Sequence, residues 1–305
     1  MVGSSLIRAL SKKNNIKIFK SNSSSLDLRD SKKTYEFFLK NKFDQVYLAA
    51  AKVGGIYAND NYPADFIRDN LSLQVNVIHS AFLTGVKKLL FFGSSCIYPR
   101  SISSAIKENM LLSDHLELTN EPYAIAKISG IKMCESYNRQ HNTDYRSIMP
   151  TNLYGPNDNY YDKNSHVIPA LISRFHNAKV NKLKEVKVWG SGLPKREFLH
   201  VDDLASAAIF VMNLSKKKYN SITNERCTHI NVGYGSDISI GKLTIIIKDI
   251  VGYEGKIIFD KSMKDGTKRK LLSSDKLFSL GWHPKYNLNE GISLTYEFFK
   301  RDNQL

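Results

Sequence analysis

A serine, a tyrosine and a lysine in this chain have the types and spacing that proton transfer requires. Ser94 lies in a Ser-Ser-Cys turn, and further along the chain Tyr123 precedes Lys127 by four residues. Residues four apart on a helix share a face, and an ammonium favours a phenolate. We therefore expect Lys127 to lower the pKa of Tyr123 from its usual value of about 10. Such a tyrosine can exchange a proton with a carbonyl whose oxygen the serine also holds, which indicates hydride or proton chemistry beside a nicotinamide.

The Tyr-x-x-x-Lys spacing is not specific by itself. Tyr296 and Lys300 repeat it on a segment that has the pattern of a C-terminal amphipathic helix, and we assign this pair no chemistry. Tyr123 differs in its setting. A buried strand at 88–93 is predicted to end at the serine turn, and a helix beginning near Glu121 carries the tyrosine.

Length and composition are those of a globular chain. The 305 residues are 42% hydrophobic and 11% aromatic, which is enough for a large core. No apolar run is long enough to span a membrane, and the start lacks the layout of a signal peptide. The three cysteines are too few and too scattered for a disulfide framework or a zinc site. We therefore predict no metal and a reducing cytoplasm.

The net charge of +15 has two interpretations. One is nucleic-acid binding. The other is a lysine-rich solvated surface that attracts a polyanionic small molecule. The lysines are spread along the chain and no nucleic-acid motif accompanies them, so we favour the second interpretation and predict no nucleic-acid partner.

Strands and helices alternate in the first half of the chain, which predicts a parallel sheet. The expected strands are 16–19, 45–50, 88–93, 144–149 and, later, 230–233, and the expected helices include 64–85 and 123–140. Ligands in such sheets gather at the carboxyl ends of the strands, where Ser94, Ala49 and Thr151 are placed. Beyond about residue 153 the alternation weakens.

We therefore expect an α/β fold with a Rossmann-like, doubly wound parallel sheet and a smaller C-terminal substrate-binding lobe. Residues 1–152 and about 197–233 form the predicted dinucleotide-binding domain. Residues of about 153–196 and 234–305 form the predicted lobe.

Six sequence words resemble the GDP-L-fucose synthase family, a group of extended short-chain dehydrogenase/reductases. The words are QVYLAAAKVGG at 45–55, GSSCIYP at 93–99, NEPYAIAK at 120–127, MPTNLYGP at 149–156, NSHVIP at 164–169 and REFLHVDD at 196–203. The resemblance covers essentially the whole chain. It implies 3,5-epimerisation of GDP-4-keto-6-deoxy-D-mannose, followed by NADPH-dependent reduction at C4.

The reaction of that family gives the candidate catalytic residues their roles. A C4 ketone acidifies the C3 and C5 protons, so epimerisation needs an acid/base pair, and the resemblance implies Cys96 and His166. Which of the two is acid and which is base stays open. Ser94 and Tyr123 would hold the C4 oxygen as charge develops on it. Tyr123 would then supply the proton for reduction, while Lys127 would bind the nicotinamide ribose.

Further residues match ligand positions of the family. Guanidinium groups suit a diphosphate, and a tryptophan offers an apolar face and a donor. Without ligand binding, the arginines and the aspartate would be in surface ion pairs and the tryptophan would be a core aromatic. Cys134 is predicted to be a core residue. The implied GDP-sugar contacts are Arg174, Trp189, Arg196 and Asp265. The implied NADPH contacts are Gly3, Asp27, Leu28, Ala49, Ala50, Ala51, Lys127, Pro150, Thr151, Asn152, Leu153 and His166.

The chain departs from the family at its start. The family opens with a central strand and a Gly-x-x-Gly-x-x-Gly turn that holds a pyrophosphate, and here only Gly3 matches that turn. Either the true start lies upstream, which we favour because no later word is eroded, or the chain is a truncated and catalytically impaired homologue. We expect the strands at 16–19 and 88–93 to lose a shared neighbour and to expose apolar edges.

Two other functions stay open. One is a different nucleotide-sugar epimerase or reductase of the same superfamily, although Cys96 with His166 argues against a simple 4-epimerase. The other is a catalytically dead binding or structural subunit. The resemblance also implies a homodimer that pairs helices like those at 64–85 and 123–140.

Overall fold

The computed structural model describes residues 1–160, 165–263 and 265–302, so Asn164 of the NSHVIP word lies outside the described residues. Eleven α-helices and ten β-strands form within the described residues. The helices are α1 Val2–Leu10, α2 Ser31–Asn41, α3 Ile56–Asn61, α4 Pro63–Leu83, α5 Glu121–His141, α6 Val167–Val180, α7 Val201–Asn213, α8 Lys216–Asn220, α9 Ile240–Val251, α10 Asp275–Ser279 and α11 Leu288–Asp302. The strands are β1 Gln45–Leu48, β2 Lys88–Phe92, β3 Asp144–Pro150, β4 Asn152–Tyr154, β5 Glu185–Trp189, β6 Lys195–His200, β7 Ile230–Val232, β8 Asp237–Ser239, β9 Lys256–Asp260 and β10 Arg269–Lys270.

A four-stranded parallel sheet lies at the centre of the N-terminal part, in the order β1-β2-β3-β7. In β2, Leu89 and Phe91 join the core that contains α4 and α5 side chains. Leu90 and Phe92 join the core that contains α1 and α7 side chains. Successive residues of a strand point to opposite faces, so both faces of the sheet are covered and the predicted doubly wound parallel sheet is confirmed.

Two expectations about the edge of this sheet are wrong. Residues 16–19 do not form a strand, and the Ile16 and Phe19 side chains are 47% and 40% exposed. The strand β2 has β1 on one side and β3 on the other, so it has no open edge, and β1 ends the sheet. An apolar run becomes a strand only when a neighbour pairs with its backbone groups. The apolar pattern of a segment does not show whether a neighbouring strand is present to pair with it.

The C-terminal part carries two further sheets. One has the order β10-β6-β4 with β8 added to β6, and the other pairs β5 with β9. Side chains from α6, α9 and α11 form a third core against them. The placement of the domain boundaries by residue stays a prediction.

Neither a membrane-spanning helix nor a metal site is present within the described residues. There, no helix is both long and apolar enough to cross a membrane. No group of three or more His, Cys, Asp or Glu side chains could hold a metal ion in that part of the chain. Cys134 is 0% exposed, which confirms its prediction as a core residue, and burial raises the pKa of its thiol to about 12.

Candidate active site

The carboxyl ends of three neighbouring parallel strands bring predicted site residues to one edge of the sheet. Ala49 follows β1, Ser94 follows β2 and Thr151 follows β3. Thr151 donates its N–H to the carbonyl of Val232 at 3.0 Å, which joins the end of β3 to β7. Ligands bind at this edge in open α/β sheets. The central part of the predicted cofactor set, Ala49, Ala50, Ala51, Pro150, Thr151, Asn152 and Leu153, therefore lies near this edge.

A tight turn after β2 fixes Ser94 and Cys96 together. Gly93 has no room for a side chain, because a Cβ there would clash with the thioether of Met149 on the neighbouring strand. After this close approach the chain enters a 3₁₀ turn at Ser95–Ile97. The Oγ atom of Ser94 accepts a hydrogen bond from the Cys96 N–H at 3.2 Å. The hydroxyl and the thiol are thus held in one short turn.

The helix α5 brings Tyr123 and Lys127 to this turn. Pro122 occupies its first turn, as is common at helix starts, and the helix begins where the sequence predicted. Tyr123 is half-buried, and its pKa responds to both Ser94 and Cys96, so it lies beside this turn. Lys127 is 3% exposed, and its Nζ atom donates to the carbonyl of Phe92 at 2.8 Å. The structure therefore brings the serine, the tyrosine and the lysine together.

The expected direction of the Tyr123 pKa shift is wrong, and Lys127 is not among its causes. The pKa of Tyr123 is raised, first by burial and then by the negative charge of Cys96, while the Ser94 hydrogen bond opposes this. Burial also lowers the pKa of Lys127 to about 7. The Nζ atom of Lys127 lies 5.9 Å from the centre of the Tyr123 ring and donates to the backbone instead. Spacing on a helix predicts proximity but not the loss of solvation that shifts both groups.

Replacing Lys127 by methionine should change how stability depends on pH. The unfolded lysine has a pKa of 10.5 and the folded one of about 7, so between these values the unfolded state binds more protons. The contribution of Lys127 to the free energy of unfolding therefore rises with pH. We expect the free energy of unfolding of wild type minus that of Lys127→Met to increase by about 2–3 kcal/mol from roughly pH 7.5 to pH 9.5, as measured by urea unfolding.

The matched control for this stability measurement is the other lysine of the repeated pattern. Lys300 is partly exposed and pairs with Glu297 at 2.7 Å. Lys300→Met should leave the pH trend of wild type unchanged. Parallel pH profiles for wild type and Lys127→Met would contradict the lowered pKa of Lys127.

His166 stands apart from Cys96 in the described contacts. It is an exposed residue that precedes α6, and its carbonyl accepts the N–H of Ala170 at 3.1 Å. Burial raises the pKa of Asp158, and the nearby charge of His166 partly offsets this. No hydrogen bond joins His166 to Cys96 among the described residues. Their joint role stays a prediction.

Two of the predicted substrate residues form one side of a surface cluster. The guanidinium of Arg174 lies 4.8 Å from the centre of the Trp189 ring, a distance typical of cation–π contact. The Trp189 side chain is 55% exposed at the end of β5, so it is not a core aromatic. An exposed tryptophan beside an arginine offers a flat face and a positive charge to a ligand.

The other two predicted substrate residues lie next to this pair. Gly190 follows Trp189 with φ +82, and a Cβ there would clash with Asp265. Ser191 donates to the carboxylate of Asp265 through its N–H at 2.9 Å and its hydroxyl at 2.6 Å, and these bonds lower the pKa of Asp265. Arg196 donates to the carbonyl of Thr267 at 2.6 Å. Burial lowers the pKa of Arg196, while the charge of Asp265 raises it.

The residues predicted for the adenine side form a separate charged group. Arg29 binds Asp27 through two nitrogens, at 2.9 Å and 2.8 Å, and these hydrogen bonds lower the pKa of Asp27 to about 2. The same guanidinium lies 3.3 Å from Asp69. The carbonyl of Leu28 accepts the amide of Asn76 at 2.9 Å. These contacts tie the loop before α2 to α4, and no described contact joins Asp27 to the catalytic turn.

Glu197 is a buried residue at this edge that sequence reasoning missed. Its Oε1 atom accepts the N–H of Gly235 at 2.8 Å, and Oε2 accepts that of Leu272 at 3.0 Å. Its carbonyl accepts the side chains of Thr151 and Asn152. Burial raises the pKa of its carboxyl. The signal was an acidic residue directly before the apolar pair Phe198 and Leu199 in the REFLHVDD word.

A cleft of about 350 Å³ lies in the C-terminal part of the chain. Its lining includes Tyr154, Tyr234, Tyr286 and Lys242, and it contains none of the predicted site residues. Asp237 also lines it, and this carboxylate is held by Arg269. We assign the cleft no chemistry because its lining has no described pair of groups arranged for proton transfer.

Comparison with known proteins identifies the family of this chain. Residues 1–233 match the model of the NAD dependent epimerase/dehydratase family. The chain is 52% identical over 299 residues to a GDP-L-fucose synthase of Escherichia coli (strain K12), covering 98% of this chain and 93% of that protein. The chain belongs to the GDP-L-fucose synthase branch of the NAD dependent epimerase/dehydratase family. The resemblance inferred from the six words is thereby confirmed.

Two further GDP-L-fucose synthase relatives support this placement. GDP-L-fucose synthase 1 of Arabidopsis thaliana is 51% identical over 302 residues, covering 99% of this chain and 91% of that protein. A GDP-L-fucose synthetase structure from Naegleria fowleri, bound to NADP, matches with a TM-score of 0.88 at 29% identity. It covers 99% of this chain and 90% of that one.

Proposed function

We propose that this protein is a GDP-L-fucose synthase. It epimerises GDP-4-keto-6-deoxy-D-mannose at C3 and C5 and then reduces C4 with NADPH. The observation that carries the proposal is the meeting of Ser94, Cys96, Tyr123 and Lys127 at the end of β2. Relatives of about 50% identity that carry this name support the substrate.

During epimerisation, Ser94 and Tyr123 hold the oxygen at C4. Because burial raises the pKa of Tyr123, its phenol keeps its proton at neutral pH and donates a hydrogen bond. Loss of a proton from C3 or C5 places negative charge on the C4 oxygen, and the two hydroxyls stabilise that charge. This stabilisation is what makes the neighbouring C–H bonds acidic enough to exchange.

Cys96 and His166 exchange the protons at C3 and C5. The charge of a Cys96 thiolate raises the pKa of Tyr123, so the phenol stays protonated while the sulfur is negative. The two groups therefore do not ionise together. Tyr123 therefore keeps its proton during epimerisation and has it available for the reduction step.

During reduction, Tyr123 gives its proton to the C4 oxygen. When bound, NADPH supplies the hydride that C4 receives. The ammonium form of Lys127, 5.9 Å from the Tyr123 ring, stabilises the phenolate that remains and binds the ribose of the cofactor.

The residues at the sheet edge fit NADPH. Ala49, Ala50 and Ala51 have small side chains and leave the backbone beside β1 accessible to a dinucleotide. No side chain caps the start of α1, so its first N–H groups can bind a pyrophosphate. Gly3 lies in that first turn, and no other atom would contact a Cβ there.

The surface cluster around Trp189 fits a GDP-sugar. Arg174 and Arg196 would bind the diphosphate, for which planar guanidinium groups are suited. Asp265 lies beside Arg196 and would orient it. The exposed Trp189 ring would cover the base or the sugar.

The domain division, the assembly and the compartment belong to the same proposal. Residues 1–152 and about 197–233 would bind the dinucleotide, and the remaining parts would bind the GDP-sugar. A homodimer would pair α4 and α5 with their copies, and exposed Val75 and Leu83 on α4 support such a contact. The free cysteines Cys96, Cys134 and Cys227 suit a reducing cytoplasm.

The purified protein tests this proposal with GDP-4-keto-6-deoxy-D-mannose and NADPH. We expect NADPH absorbance to fall in proportion to a product that NMR identifies as inverted at C3 and C5. GDP-mannose, which has no ketone, is the control substrate and should not oxidise NADPH. A reduced product with unchanged C3 and C5 would instead indicate a simple reductase. No oxidation at all would indicate the impaired or binding-only alternative.

A further inference from the structure

Asn120 lies directly before α5 and turns its side chain toward Cys96. Its Nδ2 atom donates a hydrogen bond to the Cys96 sulfur at 3.4 Å. Its Oδ1 atom is buried and has no partner among the described residues. Buried polar atoms are nearly always paired when a side chain serves only to stabilise the fold. The half-paired amide therefore indicates a role at the thiol.

The local structure gives this side chain another task that it does not perform. Asparagine is favoured at the start of helices because its oxygen accepts a first-turn N–H. Asn120 occupies this position in α5 but makes no such bond. It has φ −127 and ψ 13 and ends the 3₁₀ turn Leu118–Asn120, a conformation outside the extended region usual for this position. The amide is thus directed to the sulfur rather than to its own helix.

On the basis of the proposed function, we propose that Asn120 is a positioning residue that holds Cys96 and stabilises its thiolate during epimerisation. When the sulfur accepts a proton from C3 or C5, the C–H bond breaks and its electron pair passes into the enolate. The S–H bond forms at the same time, and the other member of the acid/base pair, His166, gives a proton to the opposite face of the same carbon. The Nδ2–H group favours the charged sulfur, because hydrogen bonds to ions are stronger than those to neutral groups.

Three side chains interact with Cys96 in this arrangement. Ser94 fixes the backbone of Cys96 through the 3.2 Å bond to its N–H, and Asn120 fixes the sulfur. Tyr123 is the titratable group that senses the charge of Cys96, and it stays neutral while that charge is present. The N–H group of Asn120 therefore partly offsets the negative charge on the Cys96 sulfur, which is the charge that raises the pKa of Tyr123.

The test uses Asn120→Asp, which replaces the donor with a negative charge, and Asn120→Ala, which removes it without adding charge. Alkylation of Cys96 by iodoacetamide is followed against pH, with the modified peptide quantified by mass spectrometry. We expect the pH of half-maximal rate to rise by roughly one unit in Asn120→Asp and by less in Asn120→Ala. In the Asn120 variants, incorporation of solvent deuterium at C3 and C5 of the sugar should fall about 10- to 100-fold. Hydride transfer to an already epimerised 4-keto sugar should persist.

Asn138→Asp is the matched control, because Asn138 lies on α5, the helix that Asn120 precedes, and donates to the carbonyl of Tyr145 at 2.6 Å. It should leave the alkylation profile of Cys96 unchanged. Thermal unfolding of each variant shows that the native state is measured, and Asn120→Ala serves if the aspartate variant does not fold. Coincident alkylation profiles for wild type and both Asn120 variants would overturn the proposal. A shifted profile in a protein whose wild type has no turnover would overturn the proposed function and uphold the Asn120–Cys96 coupling.

Discussion

Tyr123→Phe lowers the rate of NADPH oxidation by about 10²- to 10⁴-fold, the usual contribution of a positioned general acid. The substitution removes the proton that the C4 oxygen must receive and one of the two hydroxyls that hold this oxygen. The ring keeps its edge-on contact with Phe66, at 6.2 Å between ring centres, so the fold around the site is retained. Stopped-flow absorbance of NADPH with GDP-4-keto-6-deoxy-D-mannose measures this loss.

The control for this experiment is the tyrosine of the repeated pattern. Tyr296 lies on the buried face of α11, where its hydroxyl bonds to His176 at 2.9 Å. Tyr296→Phe should lower the free energy of unfolding by about 0.5–1.5 kcal/mol and leave turnover unchanged. An equal loss of turnover in the two variants would remove the reason for assigning catalysis to Tyr123.

Cys96→Ser separates the two chemical steps. A serine hydroxyl does not ionise near neutral pH, so it cannot take the place of a thiolate in proton exchange. We expect deuterium incorporation at C3 and C5 to fall by about 10²- to 10⁴-fold. Direct hydride transfer to a 4-keto sugar that already has the product configuration should change far less, because Tyr123 and Lys127 remain. NMR of the product measures the exchange, and NADPH absorbance measures the transfer.

Cys227→Ser is the matched control for Cys96→Ser. Cys227 is also free and partly exposed, and its N–H and carbonyl pair with Asn224 in a loop far along the chain. Both half-reactions should proceed as in wild type. Equal losses of exchange and of hydride transfer in Cys96→Ser would contradict an acid/base role for Cys96.

The local residue pattern was sufficient to predict the strand and the helix that carry the candidate catalytic residues. The apolar run of β2 and the start of α5 at Glu121 were both predicted within a residue or two. Such elements follow from short-range preferences and from the burial that alternation indicates. Residues 16–19 have the same apolar pattern as a strand, yet no strand of the described residues pairs with their backbone. Pattern therefore failed where pairing is long-range.

The sequence words were enough to identify the family and to bring forward Ser94, Tyr123 and Lys127, because residue type and order carry that information. Only the tertiary structure decided how these groups ionise. Burial raises the pKa of Tyr123, which is opposite to the expectation from spacing, and it lowers the pKa of Lys127 to about 7. The structure also decided that Asn120 meets Cys96, 24 residues away in the chain. Solvation and contact depend on which elements pack together, and neither is determined by residues that are neighbours in the sequence.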